Sequence, residues 1–321
     1  MSRISKVFIF CPAGVVSGGP EALHQLSYAL RQRGVAAFMV YYPRPLPVPE
    51  PYRRYQPSIA AVPDDDEDSL IVVAEVITSI VWRFKRATRA IWWLSVDNYF
   101  KWQHINPGPS VLEDRPDIAH LCQSHYVRMF LTDRGVTRTL MLTDYLTPEI
   151  FSPGPAAGRS AVIAYNPKRA PETTERLMAG PAGHVWLPLE GMDQDAVAAL
   201  LRQVRVYADF GQHPGRDRIP REAALSGAVV VTGRRGAAAF PEDLPIPDRF
   251  RLDEQAPDFE SQAHALLTEL LGSETAFAEA WAEQASYRAW AGGDRDRFEA
   301  EVDRLAAALG MTVEEPSLSG A

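Results

Sequence analysis

Apolar residues in this chain fall into short unbroken runs, separated by stretches whose apolar spacing is helical. Val7–Cys11 is continuous in the way a strand buried on both faces requires. The loop AGVVSGG follows, and Pro20 suits the first position of a helix. Leu23, Leu26 and Leu30 then share one face, Gly34 stops the helix, and VAAFMVYY predicts a second strand. This β–glycine loop–α–β opening is the start of a doubly wound sheet. LIVVAEVI and IWWLSV predict further strands, DIAHLCQSHYVRMFLTDRG a helix, and TRTLMLTDYL closes the first half. YPRPLPVPEPYRRYQP reads as a proline-rich surface loop, and DDDEDS as a solvated turn.

FSPGPAAGRS marks a domain boundary, after which the alternation restarts. SAVIAYNP, VWLPLEG, VRVYADFG and AVVVTG predict strands; PETTERLMA, DAVAALLRQ and PREAALSG predict helices between them. From about Asp258 to Leu309 the pattern is helical, and MTVEEPSLSGA is expected to be a frayed tail. The expected organisation is an α/β domain over 1–152, a second over 153–290, and a C-terminal helix and tail over 291–321.

Composition narrows the function classes. The 321 residues are 46% apolar and 23% charged, with a net charge of −8, a balance that excludes a nucleic-acid binder relying on a basic face. Two cysteines, Cys11 and Cys122, make neither a disulfide framework nor a multi-cysteine zinc site. No run approaches a membrane span, and the short apolar N-terminus does not fit a signal peptide, so a cytoplasmic protein is expected.

Local basic clusters therefore carry the information. Between Gly211 and Arg221 lie Arg216, Arg218 and Arg221, with His213 nearby and Asp217 the only acid. A helix predicted to start near Pro220 adds amide donors to those cations, a combination suited to a diphosphate. Glu222, expected in the first helical turn, reads either as a capping-box residue or as the acceptor of two ribose hydroxyls. Lys168 and Arg169 follow a strand, at the edge where open α/β sheets bind ligands. Gly14, Gly18 and Gly19 form either a tight turn or a phosphate cradle, and their spacing is not the dinucleotide fingerprint.

Taken in order, these segments resemble glycosyltransferases of the two-Rossmann-domain GT-B type, nearest the nucleotide-sugar family called group 1. SGGPEALHQLSYALRQRG resembles the family's glycine loop and helix, YNPKR its lysine segment, and PREAALSGAVVVTG its glutamate element. LPLEGMDQDAVAALLRQVRVYADFG lies between them in the expected order. The resemblance implies two Rossmann-like domains facing a cleft, with C-terminal helices. It implies that Glu222 holds the ribose, that Lys168 binds the diphosphate, and that Gly18 and Gly19 contact phosphate through their backbones. Three departures stand out. The family's second glutamate, eight positions before Glu222, is Pro214; its Gly-Phe-Gly is GRD; and the arginine preceding its lysine is absent, with Asn166 nearby. Donor sugar and stereochemical outcome are therefore not carried over.

The implied activity is transfer of a hexosyl or related group from a nucleotide sugar to a glycan, lipid-linked or small-molecule acceptor, as in surface polysaccharide synthesis. Lys168, Arg216 and Arg218 would offset charge on the leaving diphosphate. No cofactor is expected, since the nucleotide sugar is a substrate. No metal requirement is expected either, because no Asp-x-Asp stands in a convincing position; DRD at 294–296 falls in the C-terminal helices. Asp97, just past IWWLSV, reads as a general base, a sugar contact or an Asx turn; Glu21 and Glu75 are weaker acids of the same sort. VWRFKRATRAIWW, with Trp82, Phe84, Trp92 and Trp93 among cations, reads as a peripheral membrane patch over 82–93 or as core. Two rival activities stand beside transfer: a nucleotide-sugar epimerase, and a silent nucleotide- or sugar-binding protein.

Overall fold

The computed structural model describes residues 3–147, 150–152, 154 and 158–312. The chain forms two compact units, Met1–Tyr145 with Arg295–Ala321, and Leu146–Asp294. The expected boundary FSPGPAAGRS and the tail from Val313 fall partly or wholly outside the described residues.

The first unit is built on a parallel seven-stranded sheet. Its strands are β1 (Lys6–Pro12), β2 (Ala36–Tyr42), β3 (Ser58–Ile59), β4 (Ser69–Ala74), β5 (Thr88–Trp93), β6 (Ile118–Cys122) and β7 (Thr139–Met141). Their order is β3-β2-β1-β4-β5-β6-β7, so the winding reverses between β1 and β4. Alternate β1 residues explain the unbroken apolar run. Val7, Ile9 and Cys11 pack with α1 (Gly18–Gln32), while Phe8 and Phe10 pack with the opposite layer. That layer is made by a 3₁₀ stretch at Glu75–Arg83, α2 (Val96–Trp102) and α3 (His125–Thr132).

Four sequence expectations change. The segment read as one helix from Asp117 begins with β6, and α3 starts only at His125. Helix α1 begins at Gly18, placing Pro20 third rather than first. The proline-rich loop contains a 3₁₀ turn, Glu50–Tyr55, whose Tyr52 and Tyr55 are buried. The acidic turn is pinned rather than merely solvated. Asp65 accepts the amides of Lys85, Arg86 and Ala87 at 2.9–3.0 Å, Asp64 pairs with Lys6, and Asp66 with Arg86.

The second unit has a parallel sheet of β8 (Ser160–Tyr165), β9 (Val185–Pro188), β10 (Val204–Asp209) and β12 (Val229–Thr232), ordered β12-β10-β8-β9. A short pair joins β11 (Gln212–His213) to β13 (Arg235–Gly236). Its helices are α4 (Pro171–Met178), α5 (Gln194–Leu201), α6 (Arg218–Ser226), α7 (Phe259–Gly272), α8 (Glu274–Glu283) and α9 (Ala285–Gly292). Helix α6 ends at Gly227, where φ is +89° and a Cβ would lie 2.4 Å from the Arg159 guanidinium. Only glycine satisfies both conditions.

The last helix, α10 (Asp294–Leu309), returns to the first unit. Phe298, Val302, Leu305 and Ala306 enter the core under β1, each large side chain contributing roughly 1.5–3 kcal/mol. Glu301 accepts both the amide and the hydroxyl of Thr143, at 2.6 and 2.7 Å. Beyond α10, Met311 pairs with Ile4, so Met311 and Thr312 are held rather than frayed.

Candidate functional site

In the second sheet the winding reverses between β8 and β10, the position where open α/β sheets take ligands at the carboxyl ends of their strands. The turn after β8 is an Asx turn: Asn166 accepts the Lys168 amide at 3.1 Å through its side chain and the Arg169 amide at 3.0 Å through its carbonyl. Ala170 follows with φ of 41°, a left-handed conformation uncommon outside glycine. It sits against Gly211 of the neighbouring loop, whose own φ is +114° and where a Cβ would meet the Ala170 Cβ at 2.8 Å. The two loops thus meet backbone to backbone.

This turn sends its two cations in opposite directions. Lys168 is exposed, and its ammonium has no ion-pair partner among the described residues. Arg169 turns inward, 3.0 Å from Asp217 and 3.5 Å from Asp209, and donates to the Gln212 carbonyl. His213 joins the same cluster: Nδ1 lies 2.9 Å from Asp217, and Nε2 3.4 Å from the Asp209 carbonyl oxygen and 3.8 Å from its carboxylate. Tyr207 donates to Asp209 at 2.7 Å. Burial pulls the His213 imidazole down, but the carboxylates of Asp209 and Asp217 outweigh it, so its pKa is raised. Asp217 lies below the usual carboxylate range, because His213 and Arg169 overcome its burial, whereas burial leaves Asp209 above it.

The loop after β10 departs from its expected role. Arg216, expected to face a diphosphate, is 3% exposed. It pairs with Asp294, and its guanidinium stacks 4.2 Å from the Trp290 ring centre. Arg221 is 1% exposed and reaches the other oxygen of Asp294 at 2.6 Å. One carboxylate therefore clamps both arginines. Asp217 is the only acid within the loop itself, but the decisive one arrives from the start of α10. Arg218 lies 3.7 Å from Glu222, one turn away on α6. Because α6 begins at Arg218 with Asp217 as its N-cap, Glu222 sits in the second turn rather than the first. A capping box needs its acid at the third helical position, so that reading of Glu222 is removed.

In the first sheet, the glycine loop after β1 and Glu75 after β4 occupy the corresponding switch point. Gly18 and Gly19 are the first residues of α1, where amides have no intrahelical acceptor. Tyr52 fixes the residue before them, donating to the Ser17 carbonyl and accepting its amide, both at 2.8 Å. Glu21 is committed to Arg54 and to Tyr55, the latter at 2.9 Å. Glu75 is 2% exposed and accepts the Leu94 amide at 3.0 Å. Burial raises its pKa to about 7. Glu75 thereby anchors the exit of β5, which leads into α2. Ser95 caps that helix by accepting the Asn98 amide at 3.1 Å, so the Asx-turn alternative for Asp97 is replaced by a serine cap. The Ser-x-x-Asn spacing carried that signal. Asp97 itself is exposed in the first turn of α2.

Of the aromatic residues between 82 and 93, Phe84, Trp92 and Trp93 belong to the core, and Arg86 pairs with Asp66. No described helix is long and apolar enough to cross a membrane.

Solved structures share this architecture over nearly the whole chain. The sucrose-phosphate synthase of Thermosynechococcus elongatus is similar at a TM-score of 0.67 with 12% identity, over 95% of this chain and 99% of that one. An α,α-trehalose 6-phosphate synthase from Burkholderia multivorans is similar at 0.59 with 12% identity, over 96% and 100%. A lipopolysaccharide outer core galactosyltransferase is similar at 0.60 with 11% identity, over 94% and 99%. At these identities the likeness shows the fold, which is GT-B. No family model and no curated protein matches the sequence.

Two stability outcomes follow from the site. Asp294→Ala leaves two buried guanidiniums without their carboxylate, at a cost of about 3–5 kcal/mol in chemical denaturation. An unchanged denaturation midpoint would remove the clamp. Glu75→Gln keeps the acceptor for Leu94 but removes a buried charge. The unfolded Glu75 ionises near 4.5 and the folded one near 7, so wild-type stability falls as pH rises between those values. The variant is therefore more stable by roughly 3 kcal/mol at alkaline pH, and the gain disappears below the unfolded value. Thermal melts across that range check the sign.

Proposed function

We propose that the protein is a glycosyltransferase that takes a nucleotide-sugar donor on its second unit and an acceptor on its first. One observation carries the reading: at the switch point of the second sheet, Lys168 is exposed with no ion-pair partner among the described residues, while the surrounding arginines are held by acids. A GT-B fold with one uncommitted cation at that edge fits a donor whose leaving group is a diphosphate.

The residues divide the work in this reading. Lys168 meets the diphosphate and offsets the charge that grows on it as the glycosidic bond breaks. Glu222 accepts the ribose hydroxyls, and Arg218 holds its carboxylate in place beforehand. Gly18 and Gly19 offer free amides, and Asp97 takes the proton from the acceptor hydroxyl. With Arg216 locked to Asp294, the electrostatic role falls to Lys168 alone, without a divalent metal. Transfer of a hexosyl group to a glycan acceptor is the form we favour, in keeping with the galactosyltransferase and synthase neighbours.

Incubation with a panel of nucleotide sugars and glycan or lipid-linked acceptors, with and without a chelator, tests the assignment. A transferred sugar supports it, donor isomerisation without acceptor points to an epimerase, and binding without turnover points to a silent protein. Lys168→Ala is expected to weaken nucleoside diphosphate binding about ten- to a hundredfold while bare nucleoside binds as before. Equal binding of nucleoside and diphosphate by the unmodified protein overturns the role of Lys168. Asp97→Asn is expected to slow transfer by about 10²–10⁴-fold with donor affinity intact; near-normal turnover in that variant returns Asp97 to a surface role.

A further inference from the structure

We propose that His213 is a positioning residue whose protonated ring holds the donor-side loop in place, so that nucleotide-sugar affinity falls as pH rises. This rests on the donor-site reading above and adds a regulatory property to it.

The surroundings of the ring favour its charged form. Both ring nitrogens face acceptors: Nδ1 meets the Asp217 carboxylate at 2.9 Å, and Nε2 meets the oxygens of Asp209 at 3.4 and 3.8 Å. A neutral imidazole donates from one nitrogen only, whereas the imidazolium donates from both. At 2% exposure no water competes for either contact. The imidazolium is the form this cavity was built around.

The surrounding charges make that proton consequential. Strand β10 supplies Asp209 and Tyr207, the N-cap of α6 supplies Asp217, and the turn after β8 supplies Arg169. From the β13 side, Arg235 is taken up by Glu254 at 3.0 Å. With His213 charged, two cations balance two carboxylates. Loss of the proton leaves a net negative charge around Arg169, the residue that follows Lys168 in sequence. It also removes the ring's charge from Asp217, the residue immediately before the helix carrying Glu222. Both effects oppose a diphosphate: one by repulsion, the other by loosening the element that holds the ribose acceptor. Pro214 follows His213 where the resembled family has a glutamate, so the histidine, not an acid, anchors this stretch.

Isothermal titration with UDP-glucose, ADP-glucose and GDP-mannose at constant ionic strength, between about pH 6 and pH 9, reads the effect. Diphosphate diesters do not titrate there, but uracil and guanine begin to lose a ring proton at the upper end of that range, so the ADP-glucose series, whose base does not, assigns the change to the protein. In the wild type the affinity is expected to fall on the order of tenfold, with a midpoint matching the His213 ring titration followed by proton NMR. His213→Gln is expected to bind weakly and independently of pH, while circular dichroism confirms its fold. Should that variant fail to fold, coincidence of the wild-type binding and ring midpoints carries the test. Affinity that ignores pH, a decline that persists in the folded variant, or a ring titrating below its ordinary range overturns the proposal alone. No binding of any nucleotide sugar at any pH, in wild type and Lys168→Ala alike, overturns the donor reading and this proposal with it.

Discussion

A cation taken out of water must meet an acid, and this constraint shapes the second unit. The loop after β10 and the start of α6 bury His213, Arg216 and Arg221, and the turn after β8 sends the half-buried Arg169 inward. Asp209 and Asp217 answer Arg169 and His213, and Asp294 the other two. A buried guanidinium without its partner costs several kcal/mol, so the position of each acid dictates where the loops lie. The apposition of Gly211 and Ala170, the N-cap of α6 and the start of α10 all follow from satisfying those charges.

The same constraint separates positions that hold the structure together from positions left open for chemistry. Basic residues crowd this edge, yet most of the charge is spent internally. Lys168 is exposed whereas Arg169 is half-buried and turned inward, although the two are adjacent in sequence. An Asx turn and a left-handed Ala170 create that divergence, by reversing the chain within a few residues. In the first unit two acids divide in the same way. Glu75 is buried to hold the exit of β5, while Asp97, a few residues further on, faces solvent.

Much of this architecture was legible in the sequence because parallel strands covered on both faces must be apolar throughout. Val7–Cys11 and the β10 and β12 segments announce themselves that way. The segment from Asp117 misleads for a local reason: only Gln123 and Ser124 separate β6 from α3, so the merged run imitates a helix. Lys168 and Glu222 stand out in the sequence because strand ends and helix starts have signatures, although α6 begins earlier than expected and leaves Glu222 in its second turn. The fate of Arg216 does not stand out, since Asp294 lies 78 residues away and nothing local marks the pair. Summing charges within a loop fails whenever a distant carboxylate enters it, and only the fold shows which one does.

The return of α10 to the first unit has a consequence for how the chain is made. The second unit is one continuous segment, Leu146–Asp294, inserted within a first unit assembled from two separated pieces. Phe298, Val302, Leu305, Ala306 and Leu309, which complete the core beneath β1, follow the whole of the second unit in chain order. The later half therefore possesses its whole core before the earlier half does. The sheet begun first must wait, with one face unfinished, until the segment beyond the inserted unit has been made.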